Sequence, residues 1–97
     1  MDKGIKEVRA HLLIFGRVQG VSFRYYIQDI AQSLRIKGWV RNCWDGNVEI
    51  VMEGEEDKVK ELIDWCYHGP ESAVVEKIDI KWAEYRGEFN SFSIRGW

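Results

Sequence analysis

The sequence has 97 residues, of which 45% are hydrophobic and 31% are charged, and its formal net charge at pH 7 is −2. This length suits one domain with a core of its own, and we expect residues 1–97 to form it. The slight acidity gives no electrostatic support for a nucleic-acid partner, which usually binds a basic face. The longest apolar run, residues 12–15, is too short to cross a bilayer, and the charged residues 1–9 lack the apolar core of a secretion signal. We therefore expect a cytoplasmic protein without a membrane partner.

The chain offers little that would hold a metal. Its two cysteines, Cys43 and Cys66, are too few for a disulfide framework, and no Cys-x-x-Cys pair occurs, so we expect free, packed thiols. The acidic residues 53–57 are interpreted as the solvated start of a helix, because consecutive helical side chains spread around the axis and cannot gather on one ion. The prediction is no metal and no cofactor.

The first element in the chain is a strand. Residues 8–15 alternate between two faces and end at Gly16, a period that is typical of a β-strand. One face consists of Val8, Ala10, Leu12 and Ile14. Leu13 and Phe15 on the other face indicate partial cover there as well, which predicts a central position in the sheet.

Residues 16–24, with the sequence GRVQGVSFR, connect this strand to a predicted helix. Gly16 and Gly20 permit positive φ angles, so several backbone N–H groups can converge on one point. The first turn of the helix adds unpaired N–H groups, and Arg24 adds a planar fork of charged donors. The loop would suit a phosphate group. The glycines could also serve only to turn the chain from strand to helix.

Apolar residues at helical spacing predict two helices. The first is capped by Ser22 and ends before Gly38, and the second opens at residues 55–57 and stops at Gly69-Pro70. The apolar face of the first comprises Phe23, Ile27, Ile30, Ala31 and Leu34. The apolar face of the second comprises Val59, Leu62, Ile63 and Cys66.

Further strands are predicted at residues 39–43, 48–53 and 73–84, and a short last strand contains Phe92 and Ile94. The pair Asp45-Gly46 between the first two is typical of a hairpin turn. The resulting order predicts an α+β, ferredoxin-like α/β sandwich, βαββαβ plus a short C-terminal strand, in which an antiparallel sheet carries two helices on one face. This fold serves many functions and assigns none.

Two motifs make the sequence similar to a known family. VQGVSFR at residues 18–24 and GWVRN at residues 38–42, fourteen residues further on, resemble the two signatures of the acylphosphatases. These small ferredoxin-like enzymes hydrolyse carboxyl phosphates to a carboxylate and inorganic phosphate. The similarity continues through the Asp45-Gly46 hairpin, Gly69-Pro70 and the ending Phe92-x-Ile94. It therefore extends over nearly the whole chain.

The resemblance implies a role for particular residues. The Arg24 guanidinium would hold the substrate phosphoryl group together with loop N–H groups, and Asn42 would orient the attacking water. The implied loop donors are the backbone N–H groups of Arg17, Val18, Gln19, Gly20 and Val21. The implied partner is a small acyl phosphate, and we expect a monomer. The sequence departs from the family pattern at Ser22, at Cys43 and at residues 71–72, of which Cys43 could alter the setting of Asn42.

These residue types suit the reaction. A carboxylate leaves from an acyl phosphate without needing a proton, and the loose transition state places charge on the phosphoryl oxygens, where N–H dipoles and a guanidinium stabilise it. Asn42 cannot act as a base, although its amide can fix a water for in-line attack. Because neither motif contains His, Asp or Glu, our hypothesis is that a phosphoryl oxygen of the substrate receives the proton.

Several alternatives stay open. A regulatory domain that binds phosphate without turnover would need Arg24 but not Asn42, whereas an RNA-recognition module would need a Gly-aromatic motif that residues 48–53 lack. The C-terminal carboxylate of Trp97 could pair with Arg24 or be loose. Trp44 could line a substrate mouth or simply be exposed. His11 and His68 are interpreted as structural residues.

Overall fold

The computed structural model describes residues 4–96 and contains five strands and two helices. The elements are β1 (Glu7–Arg17), α1 (Phe23–Ser33), β2 (Lys37–Asn42), β3 (Val48–Glu55), α2 (Glu56–His68), β4 (Val74–Glu84) and β5 (Phe92–Arg95). The strand order in the sheet is β4-β1-β3-β2-β5, which confirms the ferredoxin-like class and the central position of β1. No helix within residues 4–96 is long and apolar enough to span a membrane.

The sheet is mixed because of its last strand. The pairs β4–β1, β1–β3 and β3–β2 are antiparallel as predicted, but β5 runs parallel to β2. After β4 the chain crosses one end of the sheet to the opposite edge and turns back along β2. Because β4 ends at the end of the sheet where β2 begins, β5 starts there as well and runs in the same direction as β2.

The core lies between the helices and one face of the sheet. The four alternating residues of β1 from Val8 to Ile14 are buried, and they form one cluster with the apolar faces of both helices. On α1 the buried residues are Phe23, Ile27 and Ala31, and on α2 they are Val59, Leu62, Ile63 and Cys66. Ile30 and Leu34 are partly buried against the same cluster. The predicted apolar faces are therefore confirmed, and burial raises the pKa of the Cys66 thiol well above its usual range.

A β-bulge ends the strand that leads into the glycine loop. The register of β1 against β4 shifts between Phe15 and Gly16, and β1 continues one residue beyond the predicted end, to Arg17. Gly16 has a φ of 132°, and a Cβ atom there would collide with the carbonyl oxygen of Val74. Glycine is required at this bulge for both conformation and space.

Ser22 lies at the N-cap of α1, as predicted, but it does not cap the helix with its side chain. Its φ is 62°, in the left-handed region, and its hydroxyl group makes no capping hydrogen bond. The prediction that Ser22 caps the helix with its hydroxyl group is therefore wrong. A capping residue needs an extended backbone, which directs its hydroxyl group toward the N–H groups of the first turn. The N–H groups at the start of α1 thus receive no cap from Ser22.

The carboxylate of Glu53 is buried beneath the crossover between β4 and β5. It accepts hydrogen bonds from the backbone N–H groups of Arg86 (2.7 Å) and Glu88 (3.2 Å) and from Nη1 of Arg9 (3.1 Å). Burial opposes its ionisation, but these hydrogen bonds outweigh burial and lower the pKa of Glu53. The interpretation of residues 53–57 as a solvated cluster is therefore wrong at Glu53, which is 1% exposed because the crossover covers it.

Candidate active site

The two motifs meet at one pocket. It has a volume of about 260 Å³ and lies between the loop after β1, the first turn of α1 and the end of β2. Its lining consists of Val18, Gly20, Ser22, Phe23, Arg24, Tyr25 and Asn42. The structure thus brings together Arg24 and Asn42, which are 18 positions apart in the sequence. A larger cavity of about 560 Å³ lies at the β4 edge and includes no residue of either motif.

The five loop residues expected to bind phosphate do not all line this pocket. Val18 and Gly20 do, whereas Arg17 ends β1 beside Val74, and Val21 packs partly buried against the core. Gly20 has a φ of 72°, and a Cβ atom at this position would meet nothing within 4 Å. Glycine is favoured at position 20 by backbone conformation alone, because any other residue would be strained there.

The side chain of Gln19 fastens the loop to the neighbouring hairpin. Its Nε2 atom donates hydrogen bonds to the carbonyl oxygens of Cys43 (2.7 Å) and Asn47 (2.8 Å). Cys43 directly follows Asn42, so Gln19 fixes the position of the loop relative to the end of β2. Sequence reasoning assigned only the backbone of Gln19 and missed this contact, since nothing in the motif indicates which residues the side chain would reach.

The amide of Asn42 has an unpaired oxygen. Asn42 is the last residue of β2, opposite Val48 of β3, and its Oδ1 atom is buried. Within residues 4–96 it is the one buried side-chain polar atom that has no hydrogen-bond partner. Leaving a buried acceptor unpaired costs about 1–3 kcal/mol, so such an atom calls for an explanation. Asn42 lines the pocket, and its amide can accept a hydrogen bond from a molecule inside it once the oxygen turns toward that space.

The guanidinium of Arg24 is also without a partner in the part of the chain that the structure describes. No residue from 4 to 96 forms a hydrogen bond or an ion pair with its side chain, whereas Arg9 pairs with Glu53 and Arg41 pairs with Glu49. Its donors therefore remain available to an anion in the pocket. The proposed contact with the carboxylate of Trp97 lies outside the described residues.

A charged network supports the end of β2 from the opposite face of the sheet. Glu49 on β3 accepts hydrogen bonds from Nε of Arg41 at 2.6 Å and from Nε2 of His11 at 2.6 Å. Burial opposes the ionisation of Glu49, but the bonds from His11 and Arg41 prevail and lower its pKa. Arg41 directly precedes Asn42, so this network holds the strand that carries the amide.

The remaining candidates contribute little to the pocket. Burial is the main cause that raises the pKa of Cys43, so its thiol lacks the thiolate character of a reactive cysteine. Trp44 is 84% exposed at the hairpin and does not belong to the pocket lining. The Nδ1 atom of His68 lies 3.2 Å from the carbonyl oxygen of Asp64, at the end of α2. Among residues 4–96 no group of three or more His, Cys, Asp or Glu side chains is suited to a metal ion.

The fold and the pocket define a ferredoxin-like protein in which polar groups without a partner among residues 4–96 lie between the first loop and the end of β2. The family model for acylphosphatase matches residues 10–94. An acylphosphatase of Chloroflexus aurantiacus is 53% identical, over 90% of this chain and 95% of that relative, and one of Pyrobaculum calidifontis is 50% identical, over 96% and 86%. The solved structure of an acylphosphatase from Coxiella burnetii superposes with a TM-score of 0.87 at 33% identity, covering 93% of this chain and 94% of that one. The chain belongs to the acylphosphatase family, and the predicted resemblance is confirmed.

Proposed function

We propose that this protein hydrolyses acyl phosphates in the pocket that Arg24 and Asn42 share. The observation that carries the proposal is a pocket of about 260 Å³ lined by both Arg24 and Asn42, in which residues 4–96 provide no partner for the guanidinium or for the buried amide oxygen. The guanidinium suits the phosphoryl oxygens, and the amide oxygen suits a water molecule. Together they supply the two functions that the hydrolysis of an activated phosphate requires.

The phosphoryl group binds to Arg24 and to backbone N–H groups of the loop, of which Val18 and Gly20 line the pocket. The planar fork of the guanidinium can contact two phosphoryl oxygens at once in a fixed geometry, which the flexible ammonium group of a lysine does not provide. The start of α1 carries partial positive charge, and Ser22 does not cap its N–H groups, so they add to the attraction. Because the loose transition state spreads its charge over these oxygens, fixed donors around them stabilise it.

Asn42 positions the nucleophile. Its Oδ1 atom accepts a hydrogen bond from a water molecule, which then attacks phosphorus in line with the leaving carboxylate. A new P–O bond forms to the water, the bond from phosphorus to the carboxylate oxygen breaks, and the electron pair of that bond leaves with the carboxylate. An amide cannot accept the proton that the water releases, so a phosphoryl oxygen takes it.

We infer that the protein acts as a cytoplasmic monomer of one domain and requires no metal or cofactor. Arg24, Asn42 and the loop belong to one chain, so a second copy is not needed to complete the pocket. The net charge of −2 supports a small-molecule partner rather than a nucleic acid or a membrane surface.

The proposal is tested by assaying the purified protein with benzoyl phosphate, with and without a chelator. We expect turnover that the chelator does not change. The variant Arg24→Gln should lose nearly all activity, and Asn42→Ala should lose roughly 10²- to 10³-fold in kcat, as for one oriented transition-state group. The exposed residues Arg35 and Asn90 provide the matched controls Arg35→Gln and Asn90→Ala, which should keep full activity.

Two results would contradict parts of this account. Phosphate binding without turnover would mean that the domain only binds anions, and full kcat in Asn42→Ala would remove that residue from the mechanism. A steep pH limb in kcat that disappears when one Asp or Glu is replaced would show that a protein base, and not the substrate, takes the proton.

A further inference from the structure

A second pocket adjoins the site at the N-cap of α1. It has a volume of about 410 Å³ and is lined by Val21, Ser22, Tyr26, Pro70, Glu71 and Ser72. Ser22 belongs to the linings of both pockets, so the two cavities lie on either side of one residue.

We propose that this second pocket, the acyl subsite, receives the acyl group of the substrate and favours an aromatic acyl group without negative charge. The inference rests on the proposed function, because it assumes that a phosphoryl group occupies the pocket of Arg24 and Asn42. It adds the chemical class of the acyl group, which the two sequence motifs leave open.

The direction of the reaction selects this pocket. In-line displacement places the attacking water and the leaving carboxylate on opposite sides of phosphorus. The water is held by Asn42 on the β2 wall, so the acyl group leaves on the side away from β2. The acyl subsite begins at Ser22 and its lining contains no residue of β2, which is consistent with a leaving group on the side away from β2.

The lining of the acyl subsite is mixed, because Ser22, Glu71 and Ser72 are polar whereas the ring of Tyr26 offers a flat surface. Tyr26 is 49% exposed, and its ring is inclined by 35° to the ring of Trp65 with the centroids 6.0 Å apart, which limits the positions open to it. Val21 and Pro70 add apolar surface to the lining. An aromatic acyl group could pack on the Tyr26 ring, an interaction that is typically offset or edge-to-face.

The charge in the acyl subsite opposes an anionic acyl group. Glu71 is exposed at its rim, and among residues 4–96 no Lys, Arg or His belongs to the lining. A carboxylate or a second phosphate on the acyl group would therefore meet a like charge without a compensating cation. An uncharged acyl group avoids this repulsion.

The experiment compares kcat/KM for acetyl phosphate, benzoyl phosphate and 4-carboxybenzoyl phosphate. Tyr26→Ala should lower kcat/KM about fivefold for benzoyl phosphate, as expected for one lost aromatic contact, and should leave acetyl phosphate nearly unchanged. The matched control is Tyr67→Ala on α2, because Tyr67 is also 49% exposed but lies outside the lining. This control should leave kcat/KM unchanged for both acetyl phosphate and benzoyl phosphate.

A second variant tests the charge without disturbing the fold. Glu71→Gln should raise kcat/KM for 4-carboxybenzoyl phosphate about threefold, the size expected for two unit charges several ångströms apart in water, and should not affect benzoyl phosphate. The gain should vanish at 1 M salt because of screening. Glu61→Gln, at an exposed position of α2, is the control and should change nothing.

The possible outcomes separate this inference from the proposed function. If Tyr26→Ala lowers kcat/KM equally for the acetyl and benzoyl substrates, or if Glu71→Gln leaves the charge discrimination as it was, the acyl subsite is refuted while the hydrolysis stands. If the unaltered protein turns over none of the three substrates, the proposed function itself fails. Tm measurements on each variant show whether a change reflects folding.

Discussion

Replacing Gln19 by alanine tests how the loop is fixed to the end of β2. The change removes the hydrogen bonds from Nε2 to the carbonyl oxygens of Cys43 and Asn47. Neither acceptor is left unpaired, since the Cys43 oxygen still accepts from the Gly46 N–H at 3.1 Å and the Asn47 oxygen from the Cys43 N–H at 2.8 Å. The loss is therefore that of two ordinary hydrogen bonds without a desolvation penalty, about 1–2 kcal/mol of unfolding free energy. For a domain of this size each kcal/mol lowers Tm by roughly 4–8 °C.

Gln19→Ala should lower kcat by more than its small loss of unfolding free energy would suggest. Without Gln19 the loop and Asn42 can drift relative to each other, and a misplacement of about 1 Å can cost roughly 10²-fold in rate. Denaturant unfolding measures the stability, and benzoyl phosphate hydrolysis measures kcat under conditions where the variant is folded. The control is Gln32→Ala at an exposed position of α1, which should stay within about 0.5 kcal/mol of the unaltered protein. Unchanged stability together with unchanged kcat in Gln19→Ala would refute the reasoning.

Two further predictions concern the fold around the site. Gly38 has a φ of 142°, and a Cβ atom there would collide with the carbonyl of Val51, so Gly38→Ala should fail to give soluble folded protein. The control is Gly46→Ala, because a Cβ atom at position 46 meets open space. This control should lower the free energy of unfolding by only about 1 kcal/mol. Soluble expression and denaturant unfolding compare the two, and a well-folded Gly38→Ala protein would contradict the geometry. The lowered pKa of Glu53 means that its contribution to stability is present above its unfolded pKa of about 4.3 and is lost as pH falls through its folded pKa. Glu53→Gln should therefore lower the free energy of unfolding by about 2 kcal/mol at pH 7. The variant should also lose less stability than the unaltered protein when the pH falls below about 4.3. If both proteins show the same pH profile of stability, the buried carboxylate does not contribute.

The parts of the fold that the sequence could predict are those that periodicity controls. A strand or a helix that buries one face must repeat its apolar residues every two or every three to four positions, which is why β1, α1 and α2 were predicted with the correct inward faces. The end of α2 before Gly69-Pro70 was predicted from a local stop signal, because this pair cannot continue a helix.

The features that were missed depend on contacts between distant parts of the chain. Glu53 occupies a position on the sheet face that usually carries solvated side chains, and only the crossover of residues 85–91 makes it buried. Gln19 reaches carbonyl groups 24 and 28 positions away, and no local pattern encodes that distance. The parallel pairing of β5 likewise follows from the path of the chain, since its four residues have no periodicity that could fix their direction.

The most direct test of the account is a crystal structure of the protein with inorganic phosphate, the product of the proposed reaction. We expect the phosphate ion between the Arg24 guanidinium and the N–H groups of the loop, with a water molecule hydrogen-bonded to Oδ1 of Asn42 beside it. A phosphate ion bound elsewhere, while Arg24 points away from the pocket and Oδ1 of Asn42 is paired within the protein, would contradict the claim that these two side chains act on one phosphoryl group.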